Sequence, residues 1–330
     1  MRLPVHPPVI TETSPVILLA GPTASGKTAL AVRLAKALNG EIINADSMQI
    51  YADLEILSAR PGKAEQGGIA HHLFGTVDAA ERASTGWWAA AAMEQIDAIR
   101  GRGRRPIIVG GTGLYFNALV KGLAAMPEIS DRTRQSADDI EAQGAEALRE
   151  QAMAFDPEAT GRIKPADLQR LRRVVEIGLE TGQPISAFQA RTTPLLPECG
   201  WTGLVIELER QWLYQRIEAR FDTMMDQGAL DEVRTLAERG LDRTLPAMKA
   251  LGVPPLMAFL AGTMDRETAI VQAKQDTRRY AKRQMTWFRN QMPGWKRLAG
   301  SPAPISDEDV ISLLRTTGIT NRPAEREAEE

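Results

Sequence analysis

The chain has 330 residues, apolar and charged fractions of 43% and 25%, and a formal net charge of −2, which predict a soluble globular protein of one large domain with a second element, or of two domains. Its one cysteine, Cys199, excludes an internal disulfide framework and a cysteine-based metal site and is read as an inert thiol. The near-neutral balance excludes a broadly basic surface, so a nucleic-acid partner has to be met by a local basic patch.

Residues 1–14 are rich in Pro and Thr, lack the apolar core of a secretory signal and read as a flexible leader. No stretch approaches the ~18 apolar residues that span a bilayer, so the expected location is the cytosol, with no membrane association. The apolar run at 16–20 predicts a buried strand. A glycine-bearing turn follows, then a helical pattern through Ala29, Leu30, Val32, Leu34, Ala35 and Leu38. A second buried strand fits 41–45, a helix fits 86–100, and residues 105–109 read as a strand ending at Gly110-Gly111. Strands separated by helices predict a parallel α/β sheet. Beyond about residue 123 the texture changes. Residues 131–153 are polar and helical, a helix fits 166–180, and Thr181-Gly182-Gln183-Pro184 stops it. A strand at 203–209 then rejoins the sheet, and the chain is mainly helical to Gln291. The acidic end of the chain reads as disordered.

Between the first strand and the first helix lies Gly21-Pro22-Thr23-Ala24-Ser25-Gly26-Lys27-Thr28, which fits G-x-x-x-x-G-K-[ST] in the context that motif requires. The glycines let the backbone curl so that several N–H groups point into one concavity, and the following helix adds its positive N-terminal dipole. Lys27 supplies a mobile charge for phosphate oxygens, and the Thr28 hydroxyl is a Mg²⁺ ligand. ATP and GTP are the default occupants. A nucleoside triphosphatase, however, usually carries an acid at the end of a second buried strand, where this chain has Gly110-Gly111-Thr112-Gly113.

The second strand ends Asn44-Ala45-Asp46-Ser47, at the carboxyl edge where parallel sheets bind ligands. A carboxylate there accepts a proton from a nucleophile or holds it in line; the plainer role for Asp46 is to cap the following turn. Residues 274–297 carry Lys274, Arg278, Arg279, Lys282, Arg283, Arg289, Lys296 and Arg297 against the single acid Asp276. At ~100° per residue Tyr280, Ala281, Met285, Trp287 and Phe288 share one arc and the arginines the opposite one. That pattern suits a helix buried by its aromatic side with a basic stripe for phosphates, or a solvated face with acidic neighbours. Arg170, Arg172 and Arg173 form a second basic helix. His71-His72 cannot easily face one ion and reads as structural, and Trp87-Trp88 reads as core packing.

Together these residues resemble the tRNA dimethylallyltransferase family, also called tRNA isopentenyltransferases. The matching pieces are residues 21–28, Asn44 to Tyr51, Leu54-Glu55-Ile56 with Ala59-Arg60-Pro61, residues 109–119, 168–177, 216–222 and 277–291, so the likeness spans roughly 15–297. It implies a P-loop-type parallel sheet flanked by helices with an inserted helical domain. The corresponding boundaries are a leader at 1–14, an α/β core with C-terminal helices at 15–123 and 198–315, a tRNA-binding insertion at 124–197 and a disordered tail at 316–330. It also implies transfer of a dimethylallyl group from dimethylallyl diphosphate to N6 of the adenosine 3′ to the anticodon, with Mg²⁺ required, pyrophosphate released, the tRNA anticodon stem-loop as partner and a monomeric enzyme. Carried over residue by residue, Thr23 to Thr28 cradle the diphosphate, with Arg220 beside them. Asp46 is the general base on N6, and Asp46, Ser47, Met48 and Gln49 line the base pocket. Thr112 lies at the reaction centre, and Arg134, Gln169, Arg170, Leu171, Arg172 and Arg173 contact tRNA. Two departures stand out: Leu57-Ser58-Ala59-Arg60-Pro61 where members often have Gly-Thr-Ala-Lys-Pro, and Leu251-Gly252-Val253 where they often have Ile-Gly-Tyr. A nucleotide or metabolite kinase with ATP at 21–28, and an RNA-binding module with a vestigial loop, remain the competing readings.

Overall fold

The computed structural model describes residues 15–300 and 307–317, so the leader at 1–14 and the tail beyond 317 lie outside the described residues. The chain divides into two compact units. One is Leu119–Leu195, and the other comprises the segments before and after it.

The larger unit is built on a six-stranded sheet in the order β3-β2-β4-β1-β5-β6, parallel at every pairing. In chain order its elements are β1 (Val16–Ala20), α1 (Lys27–Leu38), β2 (Gly40–Asn44), α2 (Lys63–Gln66), β3 (His71–His72), α3 (Thr85–Gly101), β4 (Arg105–Gly110) and α4 (Gly113–Val120). Every residue of β1, β2 and β4 is buried. Burial at every position without alternation is what a parallel sheet covered on both faces produces. One cover is α1, which turns Leu30, Ala31, Leu34, Ala35 and Leu38 onto the sheet at helical spacing. Register places Ile17 beside Ile107 and Ala20 beside Gly110, so the carboxyl ends of β1 and β4 finish level. The loops leaving them therefore meet on one edge of a rigid base.

The smaller unit is helical: α5 (Asp131–Ala142), α6 (Ala145–Phe155), α7 (Pro157–Arg162), α8 (Leu168–Thr181) and α9 (Ile185–Gln189). Helix α8 buries Leu171, Val174, Val175 and Gly178 at i, i+3, i+4 and i+7, and Asp167 caps its first turn through Arg170 N–H. The polar stretch expected over 131–153 is two helices, because Gly144 takes an extended conformation at positive φ (117°), open to glycine, between them.

Chain then returns to the sheet through β5 (Trp201–Glu207), α10 (Arg210–Asp226), α11 (Ala229–Glu238), α12 (Val253–Leu260), α13 (Arg266–Gln291), β6 (Lys296–Ala299) and α14 (Asp307–Thr317). Strand β5 starts two residues before the expected 203, since Trp201 and Thr202 already pair with Val16 and Ile17. The expected tail from residue 316 overlaps the end of α14. Of the tandem tryptophans, Trp88 is core, stacked on Tyr115 at 4.1 Å, whereas Trp87 is 41% exposed. His72 pairs with the carboxylate of Glu41 at 2.7 Å and His71 bonds the Ile69 carbonyl at 2.9 Å.

Candidate active site

Residues 21–28 form a closed loop in which Ser25 N–H donates to the Pro22 carbonyl at 3.2 Å, and Ala24 and Gly26 take positive φ. Helix α1 then starts with no side-chain cap, so its first-turn N–H groups are open to an anion. Lys27 is buried, with its ammonium donating to the Pro22 carbonyl at 3.3 Å. Burial pushes its pKa down to about 8; the charge of Asp46 works against that shift and Arg220 works with it. Arg220, on α10, is itself shifted down by burial, partly offset by Glu65 and Asp46. These groups line a cavity of about 490 Å³ bounded by Thr23 to Thr28, Asp46, Gln49, Ser58, Ala59, Glu65, Arg216 and Arg220.

The aspartate turn is held from below by Asn44, which is fully buried at the end of β2. Its amide donates to the carbonyls of Asp46 and Leu73, both at 3.0 Å, and its oxygen accepts Asp46 N–H at 2.8 Å. One carboxylate oxygen of Asp46 accepts Met48 N–H at 3.0 Å. Asp46 thus caps its turn and also faces the cavity, joining the two roles read from sequence. Thr112 lies beside it: its hydroxyl accepts Ser47 N–H at 2.9 Å, and its own N–H donates to the Ala45 carbonyl at 3.1 Å. Asn44→Ala is expected to lower unfolding free energy by about 2–3 kcal/mol, because it strands buried backbone groups; urea unfolding with an unchanged slope measures it.

The missing acid on β4 has a steric cause. A Cβ on Gly110 would lie 2.0 Å from the Ala45 carbonyl oxygen, so the last position of β4 has no room for a side chain.

The far wall is the segment 49–61. Gln49 lines the cavity, but its amide is spent on the carbonyls of Ser58 and Ala59, each at 2.9 Å. Glu232 on α11 fastens the same segment by accepting the N–H groups of Glu55, Ile56 and Leu57 at 2.7, 2.7 and 2.9 Å. Met48 is half-buried beyond the cavity lining.

Three residues on α13 and α10 were not singled out by sequence as site residues: Tyr280, Gln284 and Arg216. Burial, followed by the Asp46 charge, holds the Tyr280 phenol well above the ordinary value, with Thr112 and Gln284 beside it working the other way. Tyr280 is therefore neutral at physiological pH. Sequence placed it only on a buried arc. Of the expected basic stripe, Arg279, Lys282, Arg283 and Arg289 are exposed, Arg279 paired with Asp276, whereas Lys274 and Arg278 are half-buried and pair with Asp222 and Glu218 of α10.

The remaining expected contacts belong to the helical unit. Gln169 and Arg170 are exposed, Arg173 half so, and these three line an open hollow with Arg172. Arg134 is exposed on α5 and pairs with Asp131 at 3.0 Å. Leu171 is a correction: its side chain is fully buried in the unit's core, so the helix spacing that exposes Arg170 turns Leu171 inward. Arg172 joins Asp138, Glu141 and Glu176, which raises its pKa and ties α8 to α5.

A parallel sheet whose first strand ends in a phosphate cradle, facing a carboxylate from the next strand and no acid from β4, defines a P-loop α/β transferase with a phosphorylated donor. Comparison with known families agrees: residues 49–291 match the family described as IPP transferase and residues 14–73 that described as isopentenyl transferase. The tRNA dimethylallyltransferase of Maricaulis maris is 54% identical over 302 residues, covering 91% of this chain and 97% of the relative; that of a Caulobacter species is 51% identical, covering 86% and 92%. Among solved structures, the tRNA isopentenylpyrophosphate transferase of Bacillus halodurans superimposes with a TM-score of 0.68 at 32% identity, covering 92% of this chain and 96% of that one. A eukaryotic dimethylallyltransferase acting on tRNA gives 0.80 at 27%, covering 95% and 81%. This chain belongs to the tRNA dimethylallyltransferase family.

Proposed function

We propose that this enzyme transfers the dimethylallyl group of dimethylallyl diphosphate to N6 of the tRNA adenosine 3′-adjacent to the anticodon. The observation that carries this reading is one cavity lined by both the phosphate cradle and Asp46. The diphosphate sits in the 23–28 loop, on the N–H groups that Gln284 and the Pro22 carbonyl leave open, with Lys27 and Arg220 against its charge. C1 of the donor then points toward Asp46. The bond from N6 to C1 forms, the C1–O bond breaks, pyrophosphate leaves, and the N6 proton passes to the Asp46 carboxylate. Thr112 and Ser47, tied to one another beside Asp46, orient the incoming amine.

Among the described residues no group of three or more acidic, His or Cys side chains forms a protein cage for a metal. Mg²⁺ usually takes few protein ligands and completes its shell with phosphate oxygens and water, and the Thr28 hydroxyl at the cavity wall fits that manner of binding. When bound there, Mg²⁺ supplies positive charge to the departing pyrophosphate. The kinase reading is disfavoured by the steric exclusion at Gly110 and by the family.

The adenosine has to leave the loop stack to reach Asp46, at a cost of about a few kcal/mol. Gln169, Arg170 and Arg173 of the helical unit, with Arg134, are proposed RNA contacts; so are Lys282, Arg283 and Arg289 on α13. The enzyme is proposed to act as a cytosolic monomer. Reversing Arg170 and Arg173 to glutamate is expected to weaken tRNA binding roughly tenfold or more, with a shallower salt dependence, while pyrophosphate binding stays within twofold. Equal tRNA affinity in variant and parent would remove these contacts. The function itself is tested by incubating the enzyme with Mg²⁺, labelled dimethylallyl diphosphate, and tRNA, AMP or no acceptor. Label is expected in tRNA alone; in a parallel incubation with ATP added, ATP consumption without label transfer would support the kinase instead.

A further inference from the structure

Gln284 has no part in the roles above. It lies on α13, only 4% exposed, and its two backbone partners are far from it in sequence. Its side-chain oxygen accepts the N–H of Thr23, the first residue of the cradle, at 2.9 Å. Its amide nitrogen donates to the carbonyl of Gly111, on the β4–α4 turn, at 2.9 Å. The orientation of the amide is fixed by these partners, since a backbone N–H only donates and a carbonyl only accepts. Gly111 makes room for it: a Cβ there would sit 2.2 Å from the Gln284 nitrogen. One turn to either side on the same helix face, Tyr280 reaches Thr112 and Gln284, and Trp287 fills the space a Cβ on Gly113 would need.

We propose that Gln284 is a positioning residue that fixes the spacing between the donor and the acceptor base. The assignment rests on the prenyl-transfer reading above. Through Thr23 the amide holds the diphosphate side, and through Gly111 it holds the turn whose Thr112 hydroxyl receives Ser47 N–H beside Asp46. The two reacting atoms, C1 and N6, are carried by these two sides. Bond formation needs them about 3–3.5 Å apart and aligned, and a misplacement of about 1 Å costs on the order of 10²-fold. Gln284 is not among the residues that line the cavity. Its loss acts on alignment and leaves the binding groups of each side in place.

The test uses the full-length enzyme with Mg²⁺, labelled dimethylallyl diphosphate and tRNA, read as single-turnover rates. Gln284→Met keeps the length and apolar stem and removes both bonds. It is expected to slow transfer roughly 10–100-fold, with KM for donor and tRNA, and the Kd for pyrophosphate, each within about threefold of parent by the same argument. Gln284→Glu separates alignment from mere burial. Its oxygen still accepts Thr23 N–H, but it donates to the Gly111 carbonyl only when protonated. The ratio of its rate to that of parent at each pH is expected to climb as pH falls from 8 to 6. Parent-like transfer by Gln284→Met, a loss confined to KM and pyrophosphate affinity, or a Gln284→Glu ratio flat in pH each overturns the assignment. Should Gln284→Met fail to fold, the pH series alone decides. A parent enzyme that moves no label overturns the functional reading itself, and the assignment with it.

Discussion

Asp46→Asn is expected to slow prenyl transfer to tRNA by about 10²–10⁴-fold, the range typical of losing a general base. The substitution isolates the charge. An asparagine oxygen still accepts Met48 N–H, the bond Asp46 makes at 3.0 Å, and Asn44 still holds the backbone of the turn from beneath. Loss of rate therefore reports the carboxylate and not a collapsed turn. Pyrophosphate affinity is the control, and its pH has to be chosen with care. The Asp46 charge supports protonation of Lys27, so the amide lets the Lys27 pKa drop further. Measured near pH 6.5, where Lys27 stays charged in both proteins, pyrophosphate binding is expected to match parent. A variant that keeps more than half of the parent single-turnover rate would take Asp46 out of the chemistry.

What sequence revealed of this site was its contiguous parts. The phosphate loop needs eight consecutive residues and sits between a buried strand and an amphipathic helix, so motif and context appear together. Asp46 was legible because it follows a buried strand, and the parallel order of the sheet sends all such ends to one edge. Gln284 was not legible. Its partners lie 261 and 173 residues away in sequence, and a polar residue among arginines on a long helix reads as surface. Tyr280 was placed on the buried arc, but periodicity gives a face and not a neighbour. Leu171 shows the opposite limit: a motif transferred as a block carries its core residue along with its surface ones. The edge strands β3 and β6, of two and four residues, are too short to impose alternation, and their pairing is a property of the sheet they join.

Lys27 makes donor binding fall as pH rises through about 8. Buried beside Arg220, it carries a pKa of about 8 in place of the ordinary 10.5, so the free enzyme loses that proton within the working range. The diphosphate binds the ammonium form, and its negative charge raises the pKa in the complex; binding above pH 8 therefore takes up a proton. The second-order rate constant kcat/KM for the donor is expected to drop about tenfold per pH unit above the free-enzyme pKa, while kcat, which reports the complex, holds to higher pH. Substitutions move the break in opposite directions. Arg220→Met removes a charge that lowers the Lys27 pKa and shifts the break upward, and Asp46→Asn removes one that raises it and shifts the break downward, read in pyrophosphate binding by calorimetry. Lys27→Met removes the break and costs about 10²–10³-fold in kcat/KM, the scale of a lost transition-state charge contact. Stability follows the other sign. Between pH 8 and 10.5 the unfolded chain holds the Lys27 proton and the folded one does not, so this group makes the ligand-free fold more stable as pH rises across the same window in which it loses its donor. Donor affinity and ligand-free stability that moved together with pH would mean that Lys27 is not the group that titrates.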